Sequence, residues 1–234
     1  MKNFKPHFPW FQNVDVYLIR KGIFGFMERS LPYFSGKVLD VGCGYMPYRD
    51  MVSSNGKVTE YIGMDLEDSE IYNQVKADLY WDGYKIPLQD NSVNTVLLTE
   101  VLEHCPNPGL VLDEIRRILI PGGRVIFSVP FIWYLHEVPF DFYRYTPYAI
   151  TKMFGDRDFT FLSLETYGNN NAAFLHAYFI WLKTGSLPKI LRFGIYLATL
   201  PLILPALLLS GKNRNDRFGH AQMFIGITGI AEKK

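Results

Sequence analysis

Residues 37–49 read KVLDVGCGYMPYR, and this stretch constrains the chain more than any other. An apolar, β-branched run ending in Asp-x-Gly-x-Gly predicts a buried parallel strand that stops in a tight turn, where glycines admit a ligand against the backbone. Strand-turn-helix openings of this kind bind nucleotides. A dinucleotide fingerprint puts a third glycine at position 47, where this chain has Pro47, so a NAD dehydrogenase is disfavoured. Asp40, just before the glycines, would repel a diphosphate and suit a ligand carrying an amino group and a sulfonium.

Three further stretches follow in order. Residues 60–65, EYIGMD, read as a second strand closing on Asp65. Residues 75–79, VKADL, read as a third strand ending at Asp78, and residues 92–104, SVNTVLLTEVLEH, as a fourth strand and its loop. Together with the glycine turn, the set resembles the class I S-adenosylmethionine-dependent methyltransferases over residues 36 to 168 and, more loosely, the last strand. The resemblance implies S-adenosyl-L-methionine as cofactor and an α/β fold: a doubly wound, Rossmann-like, mostly parallel seven-stranded sheet whose last strand is antiparallel. It also implies the cofactor contacts. Gly42 and Gly44 shape the turn, Asp40 and Glu100 face the methionine portion, Asp65 accepts the ribose hydroxyls, and Asp78 with Leu79 meets the adenine. On this reading residues 1–234 form one domain: an N-terminal helical cap (1–35), a cofactor-binding core (36–168), an apolar helical insert (169–220) and the last strand (221–234).

Residues 13–30 carry apolar side chains at 14, 17, 18, 24 and 27, which predicts an amphipathic helix interrupted by Gly22 and Gly25 and packed over the ligand mouth. A short helix follows the glycine turn. Asn107 is suited to cap a helix that Pro108 opens, with Leu110, Leu112, Ile115, Ile118 and Leu119 as its stripe and residues 121–123, PGG, as its end. Residues 124–130, RVIFSVP, predict a fifth, central strand. Thr146 and Pro147 start the next helix in the same capped way.

The loop after that fifth strand, residues 130–147, reads PFIWYLHEVPFDFYRYTP. Its place at the carboxyl end of a parallel strand brings His136, Glu137, Asp141 and Arg144 beside the cofactor crevice. Methyl transfer to an oxygen or amine needs alignment, exclusion of water and removal of a proton. Histidine titrates nearest neutrality, so His136 is the expected base, oriented by Glu137 or Asp141, with Arg144 binding an anionic group or holding Asp141. The plainer alternative is an Asp141–Arg144 ion pair that pins the loop, with His136 capping it. His104 is read as supporting the cofactor loop. The loop also resembles a segment of bacterial methyltransferases of cell-surface polysaccharide synthesis, which implies a glycan or lipid-linked glycan acceptor. A quinone or other small-molecule acceptor, and a catalytically idle cofactor-binding module that serves another protein, are the alternatives.

A formal net charge of +1 gives no global field for nucleic acid. Two cysteines, Cys43 and Cys105, offer neither a disulfide framework nor metal-ligand spacing, so no metal is expected and free thiols in a reducing cytoplasm are. The first residues lack the apolar run of a signal peptide. Aromatics make up 16% of the chain and crowd the segments outside the strands, which fits either amphipathic substrate surfaces or core filling. Residues 193–209 hold no charge, yet a helix of that length is about 25 Å long, short of a bilayer span, and Pro201 and Pro205 would kink it. Lys183, Lys189 and Arg192 precede it and Lys212, Arg214 and Arg217 follow it. Three readings compete for residues 187–212: peripheral contact with the inner face of a membrane, a hairpin covering the substrate pocket, and a homodimer contact.

Overall fold

The alternation of buried strands and capped helices folds as an open, doubly wound sheet. The computed structural model describes residues 14–67, 76–209, 214–215 and 217–234. In chain order these form α1 (Val14–Ser30), β1 (Gly36–Val41), α2 (Arg49–Ser53), β2 (Val58–Leu66), β3 (Leu79–Trp81), β4 (Val93–Thr99), α3 (Pro108–Ile118), β5 (Leu119–Pro130), α4 (Pro147–Gly155), β6 (Phe159–Tyr167), α5 (Asn170–Thr184), α6 (Lys189–Leu209), β7 (Arg214–Asn215) and β8 (Gly226–Lys233). The sheet order is β3-β2-β1-β4-β5-β8-β6-β7. Strands β1 to β5 are parallel, and β8 runs antiparallel between β5 and β6. The expected antiparallel last strand is therefore present. An eighth strand exceeds the expected seven, because the two residues of β7 pair with Thr166 and Tyr167 at the edge.

Period-two alternation sends neighbouring side chains to opposite faces. Leu39 and Val41 of β1, Val96 and Leu98 of β4, and Val125, Phe127 and Val129 of β5 pack against α3 and α4. Val38, Leu97 and Ile126 face the other way, against α1, α2, α5 and α6. The strand order reverses between β1 and β4, and this switch point opens a crevice at the strands' carboxyl ends.

Local signals held where the chain supplies its own partner. Asn107 Oδ1 accepts from the Leu110 amide at 3.4 Å, and Thr146 Oγ1 from the Ala149 amide at 3.2 Å. Elsewhere tertiary contacts moved the boundaries. Gly22 and Gly25 do not interrupt α1: a Cβ on Gly22 would stand 2.3 Å from Tyr167 Cδ2, so this glycine admits a ring from β6. Of the expected stripe Leu18 and Met27 are buried, Tyr17 and Phe24 are partly so, and Ile23 and Phe26 join it; the helix packs on α5 and β8. In α3 the buried face is Val111, Leu112, Ile115 and Ile118; Leu110 is exposed and Leu119 begins β5, which takes in residues 121–123. Pro201 and Pro205 lie inside an unbroken α6, and both are exposed. Residues 1–13 of the expected cap, Val75 of the third strand motif and Lys212 of the basic flank lie outside the described residues.

Candidate active site

The crevice has two ends, the glycine turn after β1 and the long loop after β5. At the first, β1 delivers Asp40 into the interior, 2% exposed, with Tyr61 of β2 donating its hydroxyl to Asp40 Oδ2 at 2.5 Å. Burial pushes the Asp40 carboxyl up to about 7; the Tyr61 hydrogen bond opposes this most, Asp65 adds to it and Arg49 opposes it. Gly42 and Gly44 adopt positive φ, 65° and 45°. A Cβ on Gly42 would lie 2.6 Å from Val101 Cγ2, so the turn has no room for a side chain. Gly63 matters in the same way, since its Cβ would meet Met46 Sδ at 2.5 Å and Cys43 Sγ at 3.0 Å.

Asp65 bridges the turn and its own strand end: Oδ2 accepts from the Gly44 amide at 2.9 Å and Oδ1 from the Leu66 amide at 2.8 Å. Each oxygen keeps a lone pair for a further donor. Asp78 was expected to end the third strand; it stands just before β3 instead, held beside β2 because its Oδ2 accepts from the Gly63 amide at 2.8 Å and its own amide donates to Gly63 O at 2.9 Å. Arg49 at the start of α2 pairs with Asp78 and lies 5.2 Å from the centre of the Tyr61 ring. Asp40, Asp65 and Asp78 do converge: after burial itself, all three raise the Cys43 thiol, against the opposing pull of Arg49. A rim of three acids, one of them buried and close to neutral, fits a cationic adenosyl ligand. The cradle closed by Gly42, Gly44 and Gly63 fits its approach to the backbone.

Glu100 sits between the two ends, in the left-handed region at φ 53°. Its Oε1 accepts from Ser128 Oγ at 2.7 Å, and burial pushes its carboxyl up to about 7, with Ser128 and then Arg144 opposing.

At the second end the loop after β5 folds back on residues 102–106. The Phe142 amide donates to Glu103 O at 2.8 Å, Tyr143 Oη to Pro106 O at 3.1 Å and Tyr145 Oη to Leu102 O at 2.9 Å. The side chain of Asp141 is buried and receives Arg144 bidentately, at 2.6 Å and 2.8 Å; this guanidinium holds its carboxyl well below the usual range. Asp141 Oδ2 also accepts from the His136 amide at 3.1 Å and lies 3.2 Å from His136 Nδ1. Of the two orienting acids expected for His136, the structure therefore brings Asp141. Glu137 Oε2 instead lies 3.7 Å from His104 Nε2. Burial, and then His104, lowers the pKa of His136. The ion pair that pins the loop and the aspartate that orients His136 are the same group.

Sequence reading missed Tyr61, Arg49, Ser128 and Glu103. Tyr61 and Ser128 carry no local signal, since only strand register brings them to Asp40 and Glu100. Arg49 closes the glycine motif and Glu103 adjoins His104, so both were within sight.

Beside the loop an open groove of about 500 Å³ runs between residues 131–134 and α5, lined by Phe131, Trp133, Tyr134, Ile180 and Trp181 among others. Trp133 stacks on His176 at 5.4 Å between ring centres and lies 6.4 Å from His136. Helix α6 packs on α5 through Tyr178 Oη and Thr199 Oγ1, 2.6 Å apart. Outward it exposes Ile190 (84%) and Leu202 (75%). No helix among the described residues is long and apolar enough to cross a membrane.

Residues 39–127 match the family model described as a methyltransferase domain. The sterol 24-C-methyltransferase of Gibberella zeae is 35% identical over 113 residues, 44% of this chain and 29% of that protein. The ubiquinone biosynthesis O-methyltransferase of Vibrio atlanticus is 28% identical over 110 residues, 44% of this chain and 46% of that one. The chain thus matches less than half the length of these curated relatives. Among solved structures, an S-adenosylmethionine-dependent methyltransferase from Archaeoglobus fulgidus shares the fold with a TM-score of 0.54 at 18% identity, covering 90% of this chain and 93% of that one. With the strand order, the glycine turn and the acid rim in place, residues 39–127 are similar to a methyltransferase domain, set in a fold that solved S-adenosylmethionine-dependent methyltransferases share.

Proposed function

We propose that the chain is an S-adenosylmethionine-dependent O-methyltransferase whose acceptor is an amphipathic, lipid-linked hydroxyl compound bound in the groove between the β5 loop and α5. Cap, core, insert and last strand work as one domain in this reading, because the groove needs α5 and α5 needs α1 behind it. Asp40 and Glu100 hold the methionine portion, Asp65 the ribose, and Asp78 with Leu79 the adenine, around the turn of Gly42 and Gly44. Bound S-adenosylmethionine supplies a methyl carbon activated by its positively charged sulfur. The chain's own groups align the acceptor, exclude water behind Trp133 and Tyr134, and take the hydroxyl proton at His136 Nε2, which Asp141 leaves free by engaging Nδ1. Arg144 holds Asp141 in that position.

The observation that carries the acceptor class is the aromatic groove backed by α5, against which α6 turns an apolar face to solvent. Such a pair of surfaces suits a molecule presented at a lipid surface, with α6 lying against the headgroups. Two relatives whose names carry lipids, sterol and ubiquinone, agree with the lipophilic half of this reading and keep a quinone acceptor as its nearest competitor. The glycan half rests on the sequence of the loop. The test supplies label in the methyl group of the cofactor with a membrane lipid extract. Label enters lipid-linked material, His136→Ala abolishes the transfer at unchanged cofactor affinity, and serine at Ile190, Leu197 and Leu202 removes binding to anionic vesicles. Label confined to water-soluble products, or vesicle binding indifferent to the three serines, refutes the acceptor class.

A further inference from the structure

No metal-ligand spacing is visible in the sequence, yet the fold brings three ligand groups to one point. Among the described residues, the carboxylate of Glu103 and one ring nitrogen each of His104 and His136 lie within 4.8 Å of one another. We propose that Glu103, His104 and His136 form a binding site for one divalent cation of the zinc, manganese and iron(II) group, at the acceptor end of the crevice.

Three observations carry this. Glu103 is 0% exposed, and neither of its carboxylate oxygens has a hydrogen-bond partner. A carboxylate so placed is costly unless something positive or a proton answers it. Arg144 acts on it only at a distance, being committed to Asp141.

The two imidazoles are prepared as ligands. His104 Nδ1 lies 2.8 Å from Phe140 O, and a carbonyl only accepts, so Nδ1 carries the hydrogen and Nε2 its lone pair. That Nε2 points to Glu103 Oε1 at 3.8 Å and Glu137 Oε2 at 3.7 Å. His136 Nδ1 meets Asp141 Oδ2 at 3.2 Å, which likewise leaves Nε2 free. A carbonyl behind one histidine and a carboxylate behind the other are the outer partners that fix ligand histidines and raise their basicity. The rings meet edge to face with centres 4.6 Å apart.

The geometry is also that of a site with room. Tetrahedral ligation at about 2.1 Å sets ligand atoms about 3.4 Å apart, so the three close in by about an ångström. Two nitrogens and one carboxylate suit borderline transition cations over magnesium or calcium, and three protein ligands leave positions open. Glu137 can fill one and an acceptor oxygen another. This inference rests on the proposed methyl-transfer reading and replaces His136 as free base. Held on the cation, an acceptor hydroxyl would give up its proton to solvent as it enters, before water is excluded, and its oxygen would form the new O–C bond as the C–S bond breaks and its electron pair returns to sulfur.

The test titrates Co²⁺, which is coloured, into the chelator-treated full chain, with cofactor calorimetry on each variant as the check of folding. Visible absorption saturates at one equivalent and is displaced by Zn²⁺. His104→Ala and Glu103→Gln each weaken Co²⁺ at least tenfold at unchanged cofactor affinity, while replacing the exposed His220 by alanine changes nothing. Absence of saturable binding, or binding untouched in both cluster variants, overturns the site. Methyl transfer that survives the chelator but not His136→Ala overturns the cation's role and leaves the methyltransferase reading standing. Stoichiometric Co²⁺ without transfer to any lipid acceptor supports the site and overturns the acceptor reading.

Discussion

Replacing Asp40 by asparagine tests whether the buried acid is there for a cationic cofactor. Its carboxyl sits near 7 because it is buried, with Tyr61 the main opposing influence, Asp65 acting with burial and Arg49 against it; Cys43 and Tyr48 share its surroundings. A group titrating at 7 is about 9% ionised at pH 6 and about 91% at pH 8. If the sulfonium and ammonium engage only the ionised form, cofactor affinity rises about tenfold over this interval, or about 1.4 kcal/mol, from Asp40 alone. Glu100 also titrates near 7, so the wild-type rise is up to about a hundredfold and Asp40→Asn cuts it to about tenfold. The cofactor-free protein moves the opposite way. An acid raised above its ordinary 3.8 binds more protons folded than unfolded. Its contribution to stability is therefore full below about pH 4 and is lost as pH rises through 7, by up to about 4 kcal/mol. Calorimetric cofactor titrations and urea unfolding at pH 5, 6, 7 and 8 measure both slopes. An asparagine variant that keeps the wild-type pH dependence of cofactor affinity refutes the assignment.

Gly42→Ala combines φ of 65° with a Cβ 2.6 Å from Val101 Cγ2; it weakens cofactor binding at least tenfold and costs about 1–2 kcal/mol of stability. Val101→Ala in the same chain relieves the contact but not the backbone, so calorimetry shows partial recovery. Lys183→Met strips the 3.0 Å ammonium partner from buried Asp15, loosening α1 from α5 at a cost of about 2 kcal/mol in urea unfolding. Adding Asp15→Asn restores part of that loss, and strict additivity of the two changes contradicts the pairing.

What could be read in the sequence was what a few neighbouring residues decide. The glycine turn after β1 is local chemistry, as are the caps Asn107 and Thr146, and each sits where its motif predicted. The α1 stripe was legible only at Leu18 and Met27; Ile23 and Phe26 were missed, and Gly22 read as a break because it is small for the sake of Tyr167, a ring delivered from β6. Tyr61 on Asp40 was not legible, since parallel register, not spacing, sets Asp40 against Gly63 and brings Tyr61 to it. The grouping of Glu103, His104 and His136 was hidden for the same reason: His104 and Glu103 adjoin in sequence, but His136 reaches them only because β5 pairs with β4 and its loop turns back over residues 102–106. The prolines of α6 do not divide the helix, which runs through both of them.

The loop's charges explain why the crevice stays receptive. Arg144 lies within electrostatic reach of Glu100 and Glu103, but its terminal nitrogens go to Asp141, Tyr134 O and Tyr143 O, and its Nε has no hydrogen-bond partner, so neither acid gains a hydrogen bond from it. Had Arg144 paired with Glu100 directly, that carboxylate would be ionised at all working pH and already satisfied. Instead burial raises the carboxyls of Asp40 and Glu100 to about 7, so on the proposed reading both would follow the charge of what is bound and lose protons to a sulfonium. On that reading a product whose sulfur is neutral would let the same two acids keep their protons, and they would hold it less tightly than the cofactor. A strand-end acid answered by a permanent cation could not make that distinction.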